Sequence, residues 1–178
     1  MKTAVITGAS SGIGYATAIK LSKLNYNLIL CGRNIKKLES LKKSLIKNTD
    51  VIILVFDVRN KLEVFERFNS LDDKWKNIDV LINNAGNAHG KEQLLNNDTE
   101  DWDAMIDGNV KGLLYVSKAI INEMTKRKKG HIINISSIAG KETYENGVVY
   151  CASKRAVEAI SEGMRIELTK HNIKVSNI

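Results

Sequence analysis

The sequence predicts a doubly wound α/β fold. Short apolar runs alternate with amphipathic helical segments from one end to the other, and the runs are continuously apolar rather than alternating in polarity. Segments of that kind belong in a parallel sheet covered by helices on both faces, joined by right-handed crossovers. No internal repeat, low-complexity stretch or linker divides the chain, and 178 residues suffice for one domain over residues 1–178 with a buried core.

The elements follow in order. Thr3–Thr7 reads as a buried strand, followed by a glycine-rich turn and a helix with Ile13, Ala16, Leu21 and Leu24 along one side. Asn27–Cys31 is a second strand, and Ile35, Leu38, Leu41 and Leu45 mark a lysine-rich amphipathic helix. Val51–Val55 is the third strand, and Val64, Phe65, Phe68 and Leu71 give the next helix its apolar stripe. Val80–Asn83 makes a fourth strand, before a polar loop over Asn87–Asp98. From Thr99, a long helical stretch carries Val110, Leu113, Leu114, Ile120 and Met124 at helical spacing. His131–Ile135 is a fifth strand, Tyr150–Lys170 a helix with Val157, Ile160, Met164 and Leu168 on one face, and Lys174–Ile178 begins a sixth strand. The sheet is expected to be incomplete after that strand, because a parallel strand so placed normally needs further chain to cover it.

Composition narrows the function classes. There are 27 Lys+Arg against 20 Asp+Glu, a formal charge of +7. The lysines are scattered among acids, and the densest run, Lys126-Arg127-Lys128-Lys129, fits a helix C-terminus favoured by the helix dipole better than a nucleic-acid patch. No apolar run could cross a bilayer, and the first residues leave no room for a secretory signal, so a cytoplasmic location is expected. Cys31 and Cys151 lack paired spacing, and His89, His131 and His171 are scattered; neither a disulfide framework nor a metal site is expected.

The informative motif is Thr7-Gly8-Ala9-Ser10-Ser11-Gly12-Ile13-Gly14, in the first strand-to-helix turn. Glycines at 8, 12 and 14 permit a tight turn, close backbone approach to a ligand and close helix–strand packing. The helix N-terminus then offers free N–H groups and partial positive charge, which suit a pyrophosphate. This is the setting of a Rossmann-type dinucleotide site. An NAD enzyme would place a carboxylate at the end of the second strand to hold the ribose 2′-OH. Here the segment is Cys31-Gly32-Arg33-Asn34, and Arg33 supplies a cation suited to a 2′-phosphate, with Lys36 and Lys37 nearby. NADP is therefore expected over NAD.

Four signatures in order resemble the short-chain dehydrogenase/reductase family along the whole length. They are the Thr7–Gly14 turn, Asn83-Asn84-Ala85-Gly86, Asn109 within Asp107-Gly108-Asn109-Val110, and Ser137 with Tyr150-Cys151-Ala152-Ser153-Lys154. Asp57-Val58-Arg59-Asn60, residues 77–86, residues 101–107 and His131-Ile132-Ile133-Asn134-Ile135 are more specifically similar to the NADP-dependent 3-hydroxy acid, serine-type, branch. The resemblance implies NADP-linked interconversion of a secondary alcohol and a carbonyl, with small 3-hydroxy acids as substrates. It implies that Tyr150 donates or accepts the proton, Lys154 assists it, Ser137 orients the substrate oxygen and Asn109 belongs to a water-mediated proton relay. Asp57 and Val58 would line the adenine, and Asn84, with Ala85 and Gly86, would lie beside the cofactor ribose. A homodimer or homotetramer is implied, with a dimer core on the helices around Val110–Met124 and Val157–Leu168. So is a C-terminal substrate loop beyond residue 178, without which the chain could instead be a nucleotide-binding or regulatory fragment with impaired catalysis.

The chemistry accounts for these residue types. A tyrosine with pKa about 10 is a poor base near neutrality, and a cation within ~4–6 Å favours its phenolate. Tyr150 and Lys154, four apart on a helix, project from one face. A Tyr–Lys pair at this spacing is by itself an ordinary surface pair, Ser137 alone a turn cap and Asn109 alone a satisfied buried amide. Their joint occurrence behind a nucleotide turn, at the carboxyl edge of a parallel sheet, points to proton transfer coupled to hydride transfer. Thr143, Tyr144 and Asn146 precede Tyr150 and are positioned to shape a substrate pocket. Cys151, Trp75 and Trp102 are expected to serve packing.

Overall fold

A computed structural model describes residues 1–90 and 92–178. Six parallel strands lie in the order β3-β2-β1-β4-β5-β6: β1 Thr3–Thr7, β2 Asn27–Gly32, β3 Val51–Val55, β4 Ile78–Asn83, β5 Gly130–Asn134 and β6 Ile173–Asn177. Alternate residues of each strand supply opposite faces. Val5, Ile29, Leu81 and Ile132 meet Val64 and Phe68 of α3 (Lys61–Asn69), Val116, Ile120 and Met124 of α6 (Leu113–Arg127) and Leu168 of α7 (Val148–Leu168). Ala4, Ile6, Leu28, Leu30 and Ile82 meet Ala18 of α1 (Gly12–Lys23) and Leu38, Leu41 and Leu45 of α2 (Ile35–Leu45). The chain runs outward from β1 through β2 to β3, then returns to the other side of β1 as β4, and this reversal opens a crevice at the strands' carboxyl ends.

Several expectations need correction. On α1 the buried positions are Gly14, Ala18 and Ser22, four residues apart, whereas Ile13 and Leu24 are exposed. Small residues let this helix sit close to the sheet, with Ile19 and Leu21 partly buried beside them. The stretch from Thr99 is not one α-helix: α5 (Thr99–Ile106) passes into a π-helical turn at Asp107–Gly112 before α6 begins. A one-turn helix, α4 (Asp73–Lys76), buries Trp75 as the packing residue expected. Of the apolar stripes expected to form a dimer core, Val116, Ile120, Met124 and Leu168 pack in the protomer's own core and Val157 is buried, while Leu114, Val148 and Ile166 are the large apolar side chains these helices leave exposed. Strand and helix ends shift by one or two residues, α7 opening at Val148 rather than Tyr150. The polar loop expected over Asn87–Asp98 runs from β4 to α5, with Lys91 outside the described residues.

The basic run behaves as a helix end. Lys128 adopts left-handed geometry (φ 50°) at the C-cap of α6. Arg127 donates to the Ile78 carbonyl, and the Lys129 ammonium lies 2.8 Å from Asp79. Among the described residues no helix is long and apolar enough to cross a membrane.

Candidate active site

A groove of about 510 Å³ runs along the carboxyl edge of the sheet. Gly8, Ser10, Ser11 and Ile13 from the first turn, Arg33 and Asn34 after β2, Asp57 and Val58 after β3, and Asn84, Ala85 and Gly86 after β4 line it. Tyr150 and Lys154 of α7 line the same groove. Of the residues proposed to hold the cofactor, Gly12 and Gly14 shape the turn rather than form its wall.

The turn is built for close approach. Gly8 has φ +64°, and a Cβ there would sit 2.8 Å from the Asn84 amide nitrogen and 3.0 Å from the Ala85 backbone. A Cβ at Gly14 would stand 2.5 Å from the Gly8 carbonyl oxygen. Gly12, at φ +54°, has open space around it and is constrained by its backbone conformation alone. Thr7 and Asn84 fasten the turn to the end of β4: the Asn84 and Ala85 N–H groups donate to Thr7 Oγ1 at 3.0 and 2.9 Å, and the Asn84 amide donates to the Thr7 and Gly8 carbonyls at 2.9 and 3.2 Å. Asn84, beyond touching the groove, therefore holds the cradle's shape.

At the far end of the groove, Asp57 lies between two arginines. Arg59 gives it three side-chain contacts, Nε at 3.1 and 3.0 Å to the two oxygens and Nη2 at 2.7 Å, and its backbone N–H donates at 3.0 Å. Arg33 approaches to 3.6 Å, an ion pair beyond hydrogen-bond length. Burial works to raise the Asp57 carboxyl, but the Arg59 hydrogen bonds and the two guanidinium charges outweigh it and hold the group below the usual carboxylate range. Asn34 accepts from the Lys37 N–H at 3.0 Å and caps α2, so its side chain is engaged by the helix. Arg59 also lines the groove. It was legible only as part of the Asp57–Asn60 segment, without a role.

At the end of the groove beside α7, the Lys154 ammonium donates to the Ile135 carbonyl at 2.9 Å and lies 5.9 Å from the Tyr150 ring centroid. Burial pushes Lys154 below the usual lysine range. Tyr150 is half-buried at the groove. Ser137 caps the short 3-10 turn Ile138–Gly140, its Oγ accepting from the Ala139 N–H at 3.2 Å, and its neighbour Ser136 contributes to the groove wall. Asn109 is 2% exposed inside the π-helical turn. It accepts from the Asn87 N–H at 2.8 Å, donates to the Asn87 carbonyl at 2.9 Å, and donates to Ser153 Oγ at 3.0 Å; Ser153 in turn donates to the Tyr150 carbonyl at 2.7 Å. The Asn109 side chain thus ties the loop after β4 to the backbone of Tyr150 and does not form part of the groove wall. Below it, Asn83 of β4 donates to Ser117 and to Asn134, each at 2.9 Å, and Asn134 donates to Ser161 at 2.7 Å. This buried chain fixes α6 and α7 to the strand ends. Neither it nor Asn87 and Ser153 was anticipated, because lone Asn and Ser residues carry no sequence signal of burial.

Cys151 is buried, as expected of a packing residue. Thr143 and Tyr144 are exposed and line neither cavity, and Asn146 borders a small hollow beside Tyr150 with His89 and Met105.

The family model described as short chain dehydrogenase matches residues 2–178. The NADP-dependent 3-hydroxy acid dehydrogenase of Salmonella typhi is 40% identical over 174 residues, covering 98% of this chain and 69% of that protein. The crystal structure of serine dehydrogenase from Escherichia coli superposes with a TM-score of 0.93 at 38% identity, covering 98% of this chain and 80% of that one. A closed form of serine dehydrogenase complexed with NADP+ gives the same TM-score and identity over 98% of this chain and 70% of that chain. With the glycine turn, the parallel order of the sheet and the groove at its switch point already in place, these matches establish that the chain belongs to the short chain dehydrogenase family.

Proposed function

We propose that this protein is an NADP-dependent oxidoreductase that interconverts a secondary alcohol and a carbonyl, with small 3-hydroxy acids as its substrate class. The observation that carries this reading is that Tyr150 and Lys154 open onto the same groove as the glycine turn and Arg33. Two named relatives support the cofactor and the 3-hydroxy acid class: an NADP-dependent 3-hydroxy acid dehydrogenase and a serine dehydrogenase complexed with NADP+.

The residues present fit a phosphorylated dinucleotide. Side chains at Gly8 or Gly14 would fill the cradle, the N-terminus of α1 faces it, and Arg33, 68% exposed, stands where a 2′-phosphate needs a cation. Gly8, Ser10, Ser11 and Ile13 would hold the pyrophosphate, Arg33 and Asn34 the phosphorylated ribose, Asp57 and Val58 the adenine, and Asn84, Ala85, Gly86 and Lys154 the nicotinamide half. When bound, the cofactor supplies or accepts the hydride.

The chain's own residues manage the proton. Tyr150 gives its phenolic proton to the substrate oxygen in reduction and takes it back in oxidation. Lys154, turned to the Ile135 carbonyl beside the Tyr150 ring, presents a positive charge that favours the anionic form during transfer. Ser137 Oγ already accepts from Ala139, so its own hydrogen remains to be donated to the substrate oxygen. Asn109 positions the backbone on which the relay depends. A homodimer or homotetramer would use the outer surfaces of α6 and α7, since their main apolar stripes are consumed internally.

Titration of NADPH and NADH by nucleotide fluorescence tests the reading, combined with an NADP-linked assay over hydroxy acids and ketones. NADPH should bind more tightly than NADH, and Arg33→Ala should weaken NADPH by about tenfold or more, the worth of one charge-assisted contact. Absence of coenzyme affinity in the unaltered chain would overturn it.

A further inference from the structure

We infer that Arg59 is a positioning residue for coenzyme selectivity: it saturates Asp57 and so keeps Arg33 available to a 2′-phosphate. The inference rests on the NADP reading above and adds a determinant to it.

The geometry at the end of the groove is lopsided. A carboxylate offers about four lone-pair sites. Arg59 alone makes four contacts to Asp57, three from its guanidinium and one from its backbone N–H, all at 2.7–3.1 Å. Arg33, with its guanidinium 3.6 Å from the same carboxylate, is held by charge and not by a hydrogen bond. Asp57 is only 25% exposed, so its charge acts on this end of the groove with little screening. A carboxylate near the ribose favours a 2′-OH and repels a 2′-phosphate. Unneutralised, Asp57 would do both things that defeat NADP binding: capture the Arg33 guanidinium and repel the phosphate. Two other carboxylates stand nearby: Glu63 accepts from the Asp57 N–H at 3.3 Å and from the Asn60 amide at 3.0 Å, and Asp107, whose charge reaches Arg59, is paired with Lys111 at 2.7 Å. Of the two guanidiniums on this carboxylate, Arg59 is the tightly bonded one, which leaves Arg33 as the looser cation.

The same arrangement explains why Asp57 can flank an adenine without making the site an NAD site. Selectivity resides in the pairing and not in Arg33 alone.

The test is the ratio of NADH to NADPH dissociation constants, measured by fluorescence titration. The proteins are wild type, Arg59→Gln, Asp57→Asn and the double variant. Arg59→Gln keeps a hydrogen-bonding group and removes the charge, and the ratio should fall about tenfold with NADH affinity changed less than about twofold. Adding Asp57→Asn should return the ratio to within about threefold of wild type, because the captured Arg33 is released. Asp57→Asn alone weakens both coenzymes together if the adenine contact is lost, and its ratio should hold or rise. An Arg59→Gln ratio within about twofold of wild type would overturn the inference, as would failure of the double variant to recover. Should Arg59→Gln not fold, a falling ratio in Asp57→Asn alone is sufficient to overturn it. A wild type with no preference for NADPH sinks the cofactor reading itself, a separate outcome.

Discussion

The two ends of the groove are built on opposite principles. At the end proposed to hold the adenosine half, the lining groups are charged and solvent-facing, with Arg33 and Arg59 side chains 68% and 40% exposed around one carboxylate. At the end proposed to be catalytic, Tyr150 and Ser137 are half-buried on a buried and mostly uncharged support: Asn109 is 2% exposed, Ser153 fully buried, and Lys154 8% exposed on a backbone carbonyl. Exposed ion pairs contribute little to folding. The adenosine end can therefore change its preference at small cost to the fold. Buried hydrogen bonds are expensive to leave unmade, so the catalytic end couples chemistry to stability. Selectivity and catalysis are in this sense separable, and substitutions at the two ends should give different signatures.

The largest expected effect is on turnover. Tyr150→Phe removes the proton that reaches the substrate oxygen, and kcat should fall about a thousandfold while NADPH affinity stays within about threefold. Steady-state rates and titration on the same preparation decide it, and retained turnover would take Tyr150 out of the mechanism. Asn109→Ala should lower both activity and stability. It leaves the Asn87 N–H and carbonyl without their partner and unties the loop from Ser153, a cost of about 2 kcal/mol, or roughly 4–8 °C in Tm. Arg33→Ala, by contrast, should move Tm by less than about 1 °C. Equal melting shifts for these two variants would break the contrast between the ends. Gly14→Ala sits between the two cases: its Cβ would meet the Gly8 carbonyl at 2.5 Å, so the turn must move. About 1–3 kcal/mol of stability and most coenzyme affinity should be lost together.

How much of this was legible in the sequence follows the same division. The order of strands and helices, the glycine turn, Arg33, Tyr150 and Lys154 could all be found, because periodicity and local turn chemistry are short-range signals. What escaped depends on long-range pairing. Arg59 acquires its role only when β3 brings Asp57 beside the residue that follows β2. Asn87 and Ser153 matter only through Asn109, which lies 22 and 44 positions from them in the chain. On α1 an apolar pattern points to the large residues, yet the closest approach to the sheet belongs to Gly14, Ala18 and Ser22 because they are small, with Leu21 packed only partly. The π-helical turn at Asp107–Gly112 leaves the apolar spacing nearly intact, so the sequence reads through it as α-helix.

The smallest effect concerns Lys154 and the pH dependence of stability. Burial lowers the Lys154 pKa in the native chain, so between that lowered value and the unfolded value near 10.4 the unfolded chain binds more protons than the folded one. Stability contributed by this group must therefore rise as pH climbs through that window. While the group is protonated in the folded protein, its ammonium is buried against the Ile135 carbonyl, and that cost falls away as the proton leaves. Lys154→Met keeps most of the stem and removes the charge, so it removes the slope. The difference in Tm, wild type minus Lys154→Met, should increase from pH 7 toward pH 10 in circular dichroism melts, with every other titrating group common to both proteins. At the adenosine end Asp57 has its pKa lowered, and its linkage runs at acid pH: the stability it lends is present above the ordinary aspartate range and is lost as pH falls through the lowered value. Asp57→Asn should therefore leave the alkaline slope untouched. A Lys154→Met difference that stays flat from pH 7 to pH 10 would mean that this ammonium is solvated, and the catalytic end would then resemble the adenosine end after all.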